Sequence, residues 1–373
     1  MIYINLLFIM LMPVIFSMTG SGEKIRLISG CNTQTGENGI NVFDFNSADG
    51  TVKLISGLNA GPDPSFFCFS EKKKLIYAAN EVTRFNGKKG GGITTIEYND
   101  DFTKVNKVNE ISVPNGSPCF ISISPDNDFL FVANYTGGSI AVYKLDQNGI
   151  PERICDTVKF KTNPGKISHP HMISYDPAGK RIYLTDLGLD RIMIYTLDKT
   201  KGKLIPLNEN GISLPEGTGP RHFVFNQNGS KMYVMGELKS TVSVLNVNER
   251  DGLVLMQTVT ALGESFKGSN YSADIHIDKS GEYLYGSNRG ENSIVTFRIG
   301  KDGLLTLAGR TSCGGDWPRN FTIDPSGKYL FVGNQKSGNI SILGIDKSTG
   351  LPSMTIQQVN LASPVCLKFL KQQ

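Results

Sequence analysis

Apolar and polar positions alternate along most of this chain, in runs of five to eight residues that stop at glycine, asparagine, aspartate or proline. Alternation at a period of two predicts half-buried β-strands. One run recurs seven times as Pro-x-x-apolar-x-apolar, leading in most copies into (Asp/Ser)-Pro-x-Gly or a variant of it. It begins at Pro64, Pro118, Pro170, Pro220, Ser272, Pro318 and Pro364, at intervals of 46 to 54 residues. A second strand-like run follows each of the first six, ending at Asn80, Asn134, Asp186, Gly236, Asn288 and Asn334. A third comes next, as in SIAVYKL and SIVTFRI, and a fainter fourth, as in LVLMQTVTAL after Asp251-Gly252. Beyond the N-terminus no stretch carries an apolar stripe at helical spacing.

Four strands per unit at a fixed period of this size point to radially packed blades. The first unit opens at its second strand (Ile25–Asn32), and an isolated first strand follows Pro364. The expected fold is therefore all-β: a seven-bladed β-propeller of four-stranded antiparallel blades, with the first blade closed by the C-terminal strand. Such a closure removes the open edge a ring would otherwise leave. An open array of repeats is the alternative, and it would give the split unit no purpose. Residues 21–373 then form one domain, although 373 residues could hold two or three.

The remaining sequence features narrow the setting. Residues 1–20 are apolar and uncharged and end in small or polar residues, which reads as a signal peptide lacking the usual basic start. Pro13 and the short length argue against a permanent membrane span, so the mature form is expected to have none. The protein is expected to be exported, periplasmic or extracellular, and cytoplasmic if that leader is not functional. A net charge of +4 without long basic runs, and a single Trp, give no footprint for nucleic acid. The six cysteines make no CxxC and no metal spacing and read as small core residues, with a bridge between neighbouring blades left open for an exported chain.

The chemistry gathers in the repeated run. All four histidines, His169, His171, His222 and His276, lie in it or one residue before it. Its second and third columns also supply Arg221, Asp274 and Arg319. The loops after the second strands add Glu237 and Arg289, with Asn80, Asn134, Asn288 and Asn334 as strand-end caps. If strand mouths and loops share one rim, a single cleft holds histidines, carboxylates and three arginines. Arginine binds carboxylate or phosphate as a fork and can stabilise an oxyanion. Histidine or a carboxylate can activate water. The set suits hydrolysis of an anionic ester or a lactone. Without a GxSxG motif, direct attack by water is expected rather than an acyl-enzyme. His169 and His171 could be read as a metal pair, but they lack a third ligand, and neither metal nor cofactor is expected.

These motifs resemble the seven-bladed β-propeller lactonase family, of the 6-phosphogluconolactonase and carboxy-cis,cis-muconate cyclase type. The resemblance runs from Ile25 to about Leu370 and is carried by ordered stretches such as HPHMISYDPAGKRIYLTD, GPRHFVFNQNG and ADIHIDKSGEYLYGSNRG. It implies His171, Glu237, Arg221 and Arg289 as catalytic residues. His169, His222, Asp274, His276 and Arg319 are left as substrate-binding candidates. Gly236 stands where the family usually has an asparagine, and SGCNT (Ser29–Thr33) departs from the family's first blade. The implied activity is opening of a sugar-acid lactone, most simply 6-phosphogluconolactone, with a small-molecule lactone as partner. An exported leader fits poorly with that cytosolic phosphorylated substrate. A lactone-forming isomerase of the cyclase type and a non-catalytic binding propeller stay open as alternatives.

Overall fold

The computed structural model describes residues 25–371 except residue 36 and residues 161–164, 209–210 and 249–251; the signal peptide expected at residues 1–20 lies outside the described residues. Seven antiparallel blades form, each with four consecutive neighbours in the sheet. Blade 1 joins Val52–Leu58, Ile40–Phe45 and Ile25–Cys31 to the C-terminal strand Pro364–Lys371. Ile25 pairs with Lys371 and Gly30 with Cys366, so the expected closure is present. The innermost strands of blades 2 to 7 are Pro64–Ser70, Pro118–Ile123, Pro170–Tyr175, Pro220–Phe225, Tyr271–Ile277 and Pro318–Ile323. Each touches the next, and Pro364–Lys371 lies against both Pro318–Ile323 and Pro64–Ser70, which completes the ring.

The second strand of each blade is buried on both sides, and its second or third residue is often an aromatic. Tyr77, Tyr183, Tyr233, Tyr285 and Phe331 are fully buried there. Three of these tyrosines tie a blade to the next one. Tyr77 Oη donates to Gly149 O (2.6 Å), Tyr233 Oη to Gly303 O (2.9 Å) and Tyr285 Oη to Gly350 O (2.7 Å). A buried aromatic body with a satisfied polar tip fills space between blades and adds about 1 kcal/mol per hydrogen bond. The outermost strands are half-exposed. Two small elements were not expected from the sequence: a hairpin of Arg84–Phe85 with Lys88–Lys89, and Ile212–Ser213 added to blade 4. All six cysteines are free thiols, five of them buried, so no inter-blade bridge is present. Among the described residues no helix is long and apolar enough to cross a membrane.

Candidate active site

The innermost strands do not alternate strictly. Each one in blades 2 to 7 carries a register shift within its first residues. In blade 5, Pro220 faces Gly236 and Phe223 faces Val234, so Arg221 and His222 together oppose a single residue. In blade 6, Ser272 faces Asn288 and Ile275 faces Gly286, so Ala273 and Asp274 share one partner in the same way. A bulge re-aims side chains and is common beside active sites. Here it brings sequence neighbours into one cluster: Arg221 Nη1 lies 3.3 Å from His222 Nε2, both buried.

The loop after the second strand of blade 5 adds Glu237, whose N–H donates to Gly219 O at 2.8 Å. A Cβ on Gly236 would lie 2.8 Å from Thr218 Cγ2 and 2.9 Å from Thr218 O, so the residue before Glu237 has no room for a larger side chain unless Thr218 moves. At the equivalent ends of blades 2 and 6, Asn80 and Asn288 are buried and bonded to local carbonyls, as caps. Arg289 ends its strand and is followed by Gly290 at φ 128, where a Cβ would meet Ser269 O at 2.2 Å.

Glu237 Oε2 stands 2.9 Å from Arg221 Nε and 3.0 Å from Arg289 Nη2. The first contact is one of charge, because Arg221 Nε does not direct its hydrogen at an acceptor. Arg221 Nη1 donates to Ala273 O (2.8 Å), and Arg289 Nε to Tyr271 O (3.0 Å). Burial lowers the pKa of both guanidiniums: Arg221 is pressed below its ordinary value, and Arg289 down to about 9 with the help of neighbouring Arg221. Both stay cationic at neutral pH. Two guanidiniums and one carboxylate leave this trio with a single net positive charge.

Behind Arg221 runs a chain of hydrogen bonds. His222 Nδ1 meets Asp274 Oδ1 at 2.7 Å, and His276 Nε2 meets Asp274 Oδ2 at 3.0 Å. Asn320 Nδ2 and the Phe321 N–H also donate to Oδ2. Burial works against the charge of Asp274, but His276 and His222 outweigh it and hold the carboxyl well below its ordinary range. His222 is pushed down to about 4 by burial and by Arg221, against the pull of Asp274. It is therefore neutral, with Nδ1–H donating to the carboxylate and Nε2 accepting from Arg221.

His171 is buried in the same place. Its ring lies 5.1 Å from that of His222 and edge-on to Tyr135 at 5.7 Å. Nδ1 is buried without a hydrogen-bond partner. Burial, followed by Arg221 and His222, pushes its pKa well below 6.5, so it is a neutral imidazole at neutral pH. The stacked rings of Phe66 and Phe120 (4.2 Å) each meet the His222 ring edge-to-face, at 5.8 Å and 5.5 Å.

The structure thus brings together six of the nine candidates: His171, Arg221, His222, Glu237, Asp274 and Arg289. His276 joins them from two positions deeper through Asp274. Arg319 borders them: it pairs with Glu81 at 3.3 Å, and its charge presses down the pKa of His171, Arg221 and Arg289. His169 stacks on Tyr135 at 4.4 Å and places Nδ1 3.0 Å from Tyr135 O. Sequence reasoning missed Asn320, Phe66 and Phe120. All three sit in the third column of the repeated run, with His222 and Asp274, so tracing that column around the ring would have found them.

The fold is a ring-closed seven-bladed propeller with arginines, carboxylates and histidines gathered at its channel. The chain belongs to the lactonase family described as "Lactonase, 7-bladed beta-propeller", whose model matches residues 26–369. It is 28% identical to a 6-phosphogluconolactonase of Bacillus subtilis over 92% of this chain and 97% of that one. A 6-phosphogluconolactonase of Formosa agariphila is 34% identical over 73% of this chain and 78% of its own. A periplasmic gluconolactonase of Pseudomonas aeruginosa superposes with a TM-score of 0.87 at 27% identity, covering 94% of this chain and all of that one.

Proposed function

We propose that this protein hydrolyses a sugar-acid lactone by direct, metal-independent attack of water. The observation that carries the reading is the trio of Arg221, Glu237 and Arg289 beside a neutral His171 whose Nδ1 has no partner. Water attacks the lactone carbonyl carbon while His171 takes one of its protons. The carbonyl oxygen becomes an oxyanion, which the single net positive charge of the trio matches. The tetrahedral intermediate then expels the ring oxygen, which receives the proton held by His171, and the product is the open hydroxy acid. Glu237 acts as a positioning residue, since its Oε2 is engaged by both arginines. Independence from metal is supported by the histidine nitrogens: those of His169, His222 and His276 named above face protein partners instead of a common centre. Among the described residues no group of three or more His, Cys, Asp or Glu is placed to hold a metal ion.

The relatives' names put 6-phosphogluconolactone and unphosphorylated gluconolactone first as substrates. The apolar leader, together with the periplasmic relative, supports export and so an unphosphorylated lactone met outside the cytoplasm. The test compares His171→Ala with Arg221→Ala on one lactone, after subtraction of spontaneous hydrolysis. Loss of the base should lower kcat about 10²–10⁴-fold. Loss of an arginine that grips ground and transition states alike should mainly raise KM. Two variants with wild-type kinetics and an intact fold would overturn the reading.

A further inference from the structure

The residues just before the repeated run form a ring around the channel mouth: Asp63, Ser117, His169, Gly219, Tyr271, Trp317 and Ser363. Five of them hold a positive φ: Asp63, Ser117, Gly219, Trp317 and Ser363. Four of these five are small or polar. Trp317, the only tryptophan of the chain, holds φ 69. A bulky side chain in this region is a real outlier, and such strain persists where the surroundings and function hold it. Its N–H donates to Asn292 Oδ1 (3.0 Å) and its carbonyl accepts from Gln335 N (3.0 Å), which fixes the turn.

Trp317 and Tyr271 flank Arg289. The Arg289 guanidinium carbon is 5.6 Å from the indole centroid, and Arg289 Nε donates to Tyr271 O. The two aromatic rings are 6.0 Å apart and inclined by 50°. They do not cover each other, unlike Tyr135 with His169, which lie at 4.4 Å and 15°. Tyr271 is 41% exposed, a high value for a ring at the edge of a buried charge cluster. Neither Tyr271 Oη nor Trp317 Nε1 makes a hydrogen bond among the described residues. Lys336 Nζ lies 3.2 Å from the indole centroid on an exposed side chain.

We propose that Tyr271 and Trp317 form a second subsite, for a sugar ring linked to the lactone that Arg221 and Arg289 hold. The substrate class is then the lactone of a disaccharide acid. The proposal rests on the lactonase reading given above. The exposed Tyr271 ring accepts the C–H face of a pyranose beside the Trp317 indole. The free tips of Tyr271 and Trp317 can then meet its hydroxyl groups, as in sites built from an apolar body with a few placed polar groups.

The single tryptophan makes the subsite directly observable. Tryptophan fluorescence of the full chain is titrated with gluconate and with cellobionate, a single-ring and a two-ring product analogue. Hydrolysis of the two corresponding lactones is measured in parallel. A saturable fluorescence change with cellobionate, at about tenfold lower Kd than for gluconate, is expected. Tyr271→Ala should bring the two Kd values together, and Tyr271→Phe, which keeps the ring, should restore most of the difference. Equal affinities and equal fluorescence changes for both analogues in the wild type would overturn the subsite. Tighter binding of cellobionate without turnover of either lactone would uphold the subsite and overturn the hydrolase reading instead.

Discussion

Glu237→Gln removes the one negative charge that two buried guanidiniums share. The carboxylate oxygen stands 2.9 Å and 3.0 Å from the two arginine nitrogens, with Arg221 only 3% exposed. At an effective dielectric of about 20, unit charges about 4 Å apart attract by about 4 kcal/mol. Two such contacts are lost, and the carboxylate's own desolvation is recovered. The net destabilisation is about 3–5 kcal/mol, the usual cost of stranding a buried charge. Unfolding entropy of about 2.1 cal/mol/K per residue converts this to a fall in Tm of roughly 4–7 °C for a propeller of about 350 residues. The assay is thermal unfolding by circular dichroism, with and without sulfate. Sulfate should raise the Tm of the variant more than that of the wild type, because an anion can take the vacated place between the guanidiniums. A variant that melts within about 1 °C of wild type and ignores sulfate refutes the reasoning. If it keeps its stability and loses kcat by about 10²–10⁴-fold, Glu237 is the base and not a positioning residue.

Three other outcomes follow from the same geometry. Protonation of His171 stops catalysis, and burial sets its pKa well below 6.5, so the acid limb of kcat/KM should fall below pH 6.5; a limb at or above that value contradicts the assignment. Deleting Pro364–Gln373 takes the innermost strand from blade 1 and opens the ring, so a truncated protein should melt far below the full chain, and an unchanged Tm would refute the closure. Activity should survive exhaustive chelation, and loss on chelation with recovery in Zn²⁺ or Ca²⁺ would make His169 and His171 metal ligands after all.

The ring was legible in the sequence because every blade repeats the same strand and turn chemistry, and because the split unit shows which strand completes which blade. The meeting of Arg221, Glu237 and Arg289 was legible for the same reason: equivalent positions in a repeat fall on one rim. What strict alternation hid was the pairing of neighbours. Arg221 with His222, and the inward turn of Asp274, depend on bulges, which leave no mark in a period-two pattern. Nor does a linear pattern show what a polar group spends its bonds on. Asp274 looked available to a substrate, yet it accepts from His222, His276, Asn320 and the Phe321 N–H. Arg319 shared its column with Arg221 but reaches across blade 1 to Glu81. Trp317 and Tyr271 precede the repeated run by one residue, outside the columns compared.

The lactonase claim is tested most directly by turnover on a panel of gluconolactone, 6-phosphogluconolactone and cellobionolactone, measured with purified, folded protein against the spontaneous rate. The account predicts hydrolysis of at least one of them with kcat on the order of 1–10³ s⁻¹, abolished or greatly slowed by His171→Ala. No acceleration on any of the three, by protein with the circular dichroism of an intact β-propeller, would contradict it.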